Sequence, residues 1–117
     1  MSPRNSGGMS TLEFHVLLSM APGPLYGYAI KDAVESESEG TLTPRAGSLY
    51  RVLARLLTHG LVAEADPEKS APPHPGLARK YYELTARGRE ALAAETRRLR
   101  GASALAEERL GLVEGGR

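Results

Sequence analysis

A mainly α fold with a small β-wing and a long C-terminal helix is predicted by three features of the sequence. Residues Thr43 to His59, TPRAGSLYRVLARLLTH, carry Leu49, Val52, Leu53, Leu56 and Leu57 at helical spacing, which makes one apolar stripe. Two short alternating segments follow, Gly60 to Ala65 and Arg79 to Leu84, and between them lie four of the eight prolines. After Thr85 the chain is free of proline and repeats apolar residues at spacings of three and four. Helix, helix, basic helix, strand, loop and strand is the order of a winged helix-turn-helix domain. The expected organisation is a flexible N-terminal arm over 1–9, the winged helix-turn-helix domain over 10–85, and a dimerisation helix with a short tail over 86–117.

Each element has its own signals. Residues 1–9 are polar and glycine-rich. Ser10 opens a first helix that runs to Met20, and Ser10 with Glu13 has the three-residue spacing of a capping box. Leu12, Val16 and Met20 share a face that Phe14, Leu17 and Leu18 widen, so this helix is mostly core. His15 has no histidine or carboxylate at i+4 and reads as a satisfied or surface residue rather than a ligand. Ala21-Pro22-Gly23-Pro24 ends the helix. Tyr28, Ile30 and Val34 begin a second helix that ends near Glu37. Gly27, between two tyrosines, points to a close approach of backbones or of a phosphate. Tyr28 fits either packing with a wet hydroxyl or a place near a phosphate. Ser38 to Leu42 is a short connection.

Thr43 is expected to cap the third helix and Pro44 to take its first position. Gly60 suits the left-handed residue just beyond its end. Leu61, Ala63 and Ala65 alternate with Val62 and Glu64, as a strand requires. Asp66 to Ala78 is too proline-rich for a central strand and reads as a loop. Arg79 to Leu84 is the return strand, with Tyr82 and Leu84 on one face. Thr85 caps a last helix from Ala86 to about Leu112, in which Gly101 is a weak point costing about 1 kcal/mol relative to alanine.

Composition narrows the chemistry. The 117 residues suit one domain, and 41% hydrophobic with 25% charged residues is a globular balance. There is no cysteine, which removes disulfides, thiol catalysis and thiolate metal sites. His15, His59 and His74 lack ligand spacing, so no metal or other cofactor is expected. No catalytic triad spacing, carboxylate pair or phosphate-cradling glycine loop is present, so an enzyme is not expected. No apolar run nears the ~20 residues that span a bilayer. MSPRNSGGMS has no apolar signal region, and a cytoplasmic protein without membrane contact is expected.

The net charge of +1 hides a segregation. Lys31 to Gly40 sets one lysine against Asp32, Glu35, Glu37 and Glu39, whereas Arg45 to Arg55 is purely basic. A polyanion responds to such local fields rather than to the sum. Twelve of the fifteen cationic residues are arginine, whose planar fork suits phosphate and guanine. On the third helix Ser48, Arg51, Arg55 and Thr58 recur on one face, and Arg45 adds a third arginine. A solvated face normally mixes signs, and this stretch has no Asp or Glu, so it suits the major groove of double-stranded DNA. Arg79 and Lys80 emerge where a wing meets the DNA backbone or minor groove. The last helix is too long to bury both faces on a small domain. Leu99, Ala102, Leu105, Ala106 and Leu110 are therefore assigned to an interface with a second copy. The alternative there is a frayed amphipathic tail, which Gly101 and Gly111 favour. The competing functional reading is a winged-helix protein-interaction module without specific DNA binding, and the acid-free third helix speaks against it.

Three stretches carry a resemblance: LEFHVLLSMAPGPLYGYAI, LTPRAGSLYRVLARLLTHGLV and RKYYELTARGREAL. The G-Y before helix two, the S-L-Y-R in helix three and the Y-Y-x-L-T-x-x-G after the wing occur in order and spacing. In these the chain resembles the PadR family of bacterial transcriptional regulators, in its short subgroup with a single C-terminal helix. The resemblance implies a homodimer on a partly palindromic operator, usually repressing and released by a small-molecule inducer. It carries the recognition positions onto Thr43, Arg45, Ala46, Gly47, Ser48, Tyr50 and Arg51. Ser48 and Arg51 can reach base edges, Arg51 or Arg55 is expected to read a guanine, and Gly47 allows close approach of the backbone. Tyr50 is similar to a phosphate-touching tyrosine but has the spacing of half-buried packing as well. Tyr28 matches a position near the DNA backbone, and Arg79 and Lys80 match the basic wing. Ala46 replaces a more usual small polar residue or glycine, and Arg45 adds a charge, so base preference is expected to differ from that of relatives. Some members bind planar hydrophobic compounds at the dimer interface. Here there is no tryptophan and only Phe14, which leaves an aliphatic pocket near helices one and four.

Overall fold

The computed structural model describes residues 8–65 and 80–112. Its elements run α1 (Thr11–Ser19), β1 (Leu25–Tyr26), α2 (Gly27–Glu37), α3 (Ala46–Thr58), β2 (Val62–Ala65), β3 (Tyr81–Leu84) and α4 (Ala86–Leu110). The capping box at the start of α1 forms as expected. Ser10 Oγ accepts the Glu13 N–H at 3.1 Å, and Glu13 Oε1 accepts the Ser10 N–H at 2.9 Å. Ahead of this cap, Met9 packs against the core and Gly8 lies against Glu95. Of the arm expected over 1–9, residues 1–7 lie outside the described residues.

One strand is an addition to the sequence reading. Leu25 and Tyr26 form β1, which pairs antiparallel with Tyr82 and Tyr81 of β3. The sheet order is β1-β3-β2, with Val62 opposite Leu84 and Ala65 opposite Tyr81. A two-residue strand offers no alternation to read and exists only through its pairing. It also places the start of α2 at Gly27 rather than Tyr28.

The core forms where the four helices meet this sheet. Val16, Leu17 and Met20 of α1, Ile30 and Val34 of α2, and Leu49, Val52, Leu53 and Leu56 of α3 are buried together with Val62, Tyr82 and Leu92. Burial of each large apolar side chain contributes about 1.5–3 kcal/mol. The apolar stripe predicted for α3 is thus its inner face, and its polar positions are turned outward.

The α2–α3 connection is built by two hydroxyls. Ser38 Oγ accepts the Leu42 N–H at 3.0 Å, and Thr41 Oγ1 donates to the Ser38 carbonyl at 2.8 Å. Glu39 (φ 56°) and Gly40 (φ 80°) turn the chain through left-handed geometry. Leu42 then packs against the core. The third helix starts later than expected. Arg45 itself stays extended (φ −79°, ψ 159°) and takes the capping position without a side-chain cap bond, so the first helical residue is Ala46. Thr43 is therefore an exposed connector residue rather than the cap. The far end matches its signal: Gly60 is left-handed (φ 77°), and Gly60 and Leu61 donate to the Leu57 and Leu56 carbonyls at 3.1 and 3.0 Å.

Thr85 caps α4 as expected, its hydroxyl accepting the Gly88 N–H at 2.9 Å and donating to the Gly60 carbonyl at 2.6 Å. The end of α3 and the start of α4 are thereby tied together. Arg89 Nη2 donates to the Ala21 carbonyl at 3.1 Å and ties α4 to the end of α1 as well. The helix closes at Leu110 with Gly111 left-handed, slightly short of the expected Leu112. The proline-rich loop, Arg79 and the tail after Leu112 lie outside the described residues.

Candidate nucleic-acid interface

The first half of α3 is largely exposed. Arg45, Ala46, Gly47, Tyr50 and Arg51 face solvent, and Ser48 is half-buried. A Cβ at Gly47 would meet nothing within 4 Å, so this turn has open space before it. Neither Arg45 nor Arg51 has an acidic partner among the described residues. Two uncompensated guanidiniums, a hydroxyl and open backbone therefore point outward together.

Tyr50 resolves the question raised by Gly27. Its hydroxyl lies where a Gly27 Cβ would stand, so the close approach is that of a side chain from α3 onto the first turn of α2. Tyr50 is anchored at its tip and remains 48% exposed. Tyr28, on the next position of α2, is 61% exposed, and Lys31 Nζ lies 5.7 Å from its ring centroid. Burial pushes the Tyr82 phenol above its ordinary value; nearby Lys80 opposes this and Tyr50 adds to it. Tyr50 thus packs against the first turn of the helix that carries the exposed Tyr28.

At the wing, Lys80 Nζ lies 3.6 Å from Glu64 Oε2, with both side chains mostly in solvent. Such a pair is weak and readily exchanged for another anion. Arg79 lies outside the described residues. Arg55 departs most from the sequence reading. Its own helix face carries no acid, but α1 supplies one: Arg55 Nε donates to Glu13 Oε2 at 3.0 Å. No sequence pattern signals a pair whose members are 42 positions apart. Lys31 was likewise missed as a neighbour of Tyr28, although its i+3 spacing on a helix could have revealed it.

From Arg97 in α4 through Leu112 beyond its end, every residue is exposed. Leu99, Leu105 and Leu110 are 39%, 44% and 69% exposed, and Ala102 and Ala106 lie among them. Where α4 passes α1, a cavity of about 210 Å³ is lined by Met9, Phe14, His15, Glu95, Arg98 and Leu99. Its wall includes the charged Glu95 and Arg98, so it is not the purely aliphatic pocket that the sequence left open. His15 Nδ1 is buried there without a hydrogen-bond partner among the described residues. Glu95 is 5% exposed, and Arg98 Nε donates to its Oε1 at 3.0 Å. That hydrogen bond holds the Glu95 carboxyl below its ordinary range although burial opposes it.

Residues 16–94 match the sequence pattern of the Transcriptional regulator PadR-like family. The chain belongs to that family. This PadR-like chain is 42% identical over 80 residues to an uncharacterized 37.1 kDa protein in transposon TN4556 of Streptomyces fradiae. The match takes in 68% of this chain and spans 20% of that longer protein. A crystal structure of a PadR family transcription regulator from Clostridium difficile R20291 is similar with a TM-score of 0.69 at 22% identity. That similarity covers 86% of this chain and 99% of the other. Bacillus subtilis PadR, in complex with operator DNA, is similar with a TM-score of 0.62 at 22% identity, covering 74% of this chain and 47% of that one. These structures establish the shared winged-helix fold. No helix among the described residues of the PadR-like chain is long and apolar enough to cross a membrane.

Proposed function

We propose that this PadR-like regulator is a homodimer that binds a pseudo-palindromic operator sequence-specifically and represses transcription until a small-molecule inducer releases it. The observation that carries the reading is the polarity of α3. One face holds the core through Leu49, Val52, Leu53 and Leu56, and the outward N-terminal half offers Arg45, Ser48 and Arg51, the two arginines without an acidic partner among the described residues. Ser48 and Arg51 are assigned to base edges, and Thr43, Arg45, Tyr50 and Tyr28 to phosphates. Gly47 lets the backbone come close, and Lys80 with Arg79 serves the wing. Two copies of α3 placed about 34 Å apart by paired α4 helices would enter successive major grooves.

An inducer must bind two dimer states with different affinity to shift their balance. The cavity between α1 and α4 suits that role, because it adjoins the exposed half of α4 and is lined by both apolar and charged side chains. The test is a band-shift titration against DNA from upstream of the protein's own gene, with a random duplex as competitor, at two salt concentrations. Preferential binding by one dimer, weakening with salt, is expected. Equal affinity for both duplexes at both salts would replace this reading with that of a protein-interaction module.

A further inference from the structure

The ion pair between α1 and α3 changes what the recognition helix presents. Glu13 is held at two points: Oε1 accepts the Ser10 N–H at 2.9 Å and Oε2 accepts Arg55 Nε at 3.0 Å. Because the capping box already orders the carboxylate, the pair loses little further side-chain entropy on that side. The Glu13 side chain is 19% exposed and that of Arg55 50%. Arg55 borders an open cleft of about 630 Å³ between α1, the end of α3 and the start of α4, so packing does not lock its guanidinium. Among the described residues, the other charged or titratable groups lining this cleft, His59 and Arg87, are not carboxylates, which leaves Glu13 as its acid there. Arg51 lies four residues before Arg55, on the same side of the helix, and has no such partner among the described residues.

We infer that Glu13 is a specificity-determining residue that works through Arg55, withholding one arginine of the recognition helix from DNA phosphates and so limiting sequence-blind binding. The inference rests on the DNA-binding reading above. A free Arg55 would neutralise a phosphate and release counterions whatever the base sequence. On random DNA that electrostatic gain is nearly the whole of the affinity. On an operator, base contacts from Ser48 and Arg51 already fix the docking. Unmasking Arg55 therefore favours the random complex more and narrows the ratio between the two.

The experiment titrates wild type, Glu13→Gln, Arg55→Gln and the double variant against operator and random duplexes over a salt series. Glutamine preserves the capping box, so α1 keeps its start. Glu13→Gln is expected to bind random DNA about threefold tighter, the scale of an exposed ion pair. Its salt slope should steepen by about 0.9, one phosphate's worth, with a smaller gain on the operator. The double variant should show no gain over Arg55→Gln. Glu13→Ala, which cannot hold Arg55 through an amide oxygen, should move in the same direction. Unchanged random-DNA affinity and salt slope in a folded Glu13 variant, or a gain that survives in the double variant, would overturn the inference while leaving the regulator reading intact. A wild-type protein that binds neither duplex at any salt would overturn both.

Discussion

Arg51 stands where base reading and phosphate attraction can be separated. It is exposed, unpaired among the described residues, and borne by a helix whose opposite face is locked into the core. Arg51→Ala is expected to cost about 1–3 kcal/mol on the operator and much less on random DNA, as band shifts would read it. Equal losses on both would make Arg51 a phosphate contact. Gly88 is as informative about stability. A Cβ there would collide with the Leu61 carbonyl, which already accepts the Thr85 N–H at 3.1 Å and so cannot withdraw freely. Gly88→Ala should destabilise the fold by about 1–3 kcal/mol in a thermal melt, the range of an overpacked core. Acid should act through Glu13 and Glu95. Burial tends to raise the Glu13 carboxyl, but the Ser10 N–H and Arg55 outweigh it and lower it below 4.5; the Arg98 hydrogen bond lowers Glu95. A depressed carboxylate stabilises the fold above its unfolded value and loses that contribution as pH falls through the folded one. Urea midpoints should therefore be level above about pH 5 and decline below it. Glu95→Gln should flatten part of that decline, and an unaltered slope would remove Glu95 from the account.

The elements divide by whether their signals are local. Ser10 with Glu13, Gly60 and Thr85 each announce a helix end within four residues, and each forms the predicted bonds. The α3 stripe was legible for the same reason, since its period lies inside one helix. What escaped depends on contacts distant in sequence. β1 exists because Leu25 and Tyr26 meet β3, and Gly27 matters because Tyr50 arrives from another helix. The Glu13–Arg55 pair turned an apparently bare cationic face into a partly neutralised one. The start of α3 was misplaced for a different reason: Thr43-Pro44 has good capping chemistry, but the chain stays extended through Arg45 after Leu42 docks. Within α4, Gly101 is an element-scale weakness, because nothing lies within 4 Å of the Cβ it lacks. Gly101→Ala should raise helix stability by about 1 kcal/mol, seen as a higher melting temperature by circular dichroism. A lower one would mean that another backbone covers this turn in the assembled protein.

At the scale of the whole molecule, α4 is a helix out of proportion to the body that carries it. Leu92 and Glu95 are its last buried residues, yet it continues to Leu110 with Leu99, Leu105 and Leu110 in solvent. An isolated helical stretch of this length is marginal in water, since its nucleation must be offset by packing of an apolar face. The face at Leu99, Ala102, Leu105, Ala106 and Leu110 recurs at three- and four-residue spacing, as a helix pairing with its own copy requires. Truncation after Arg100 removes four of these five residues and keeps every side chain of the core. The shortened chain should sediment as a monomer with its winged-helix body folded. Its operator affinity should fall by about a hundredfold or more, because linked half-site binding is lost while each head keeps its own contacts. Random-DNA affinity per head should change far less. A truncated chain that still sediments as a stable dimer would place the interface on α1 or the first turns of α4. The cavity beside His15 would then belong to the interface core rather than to its edge.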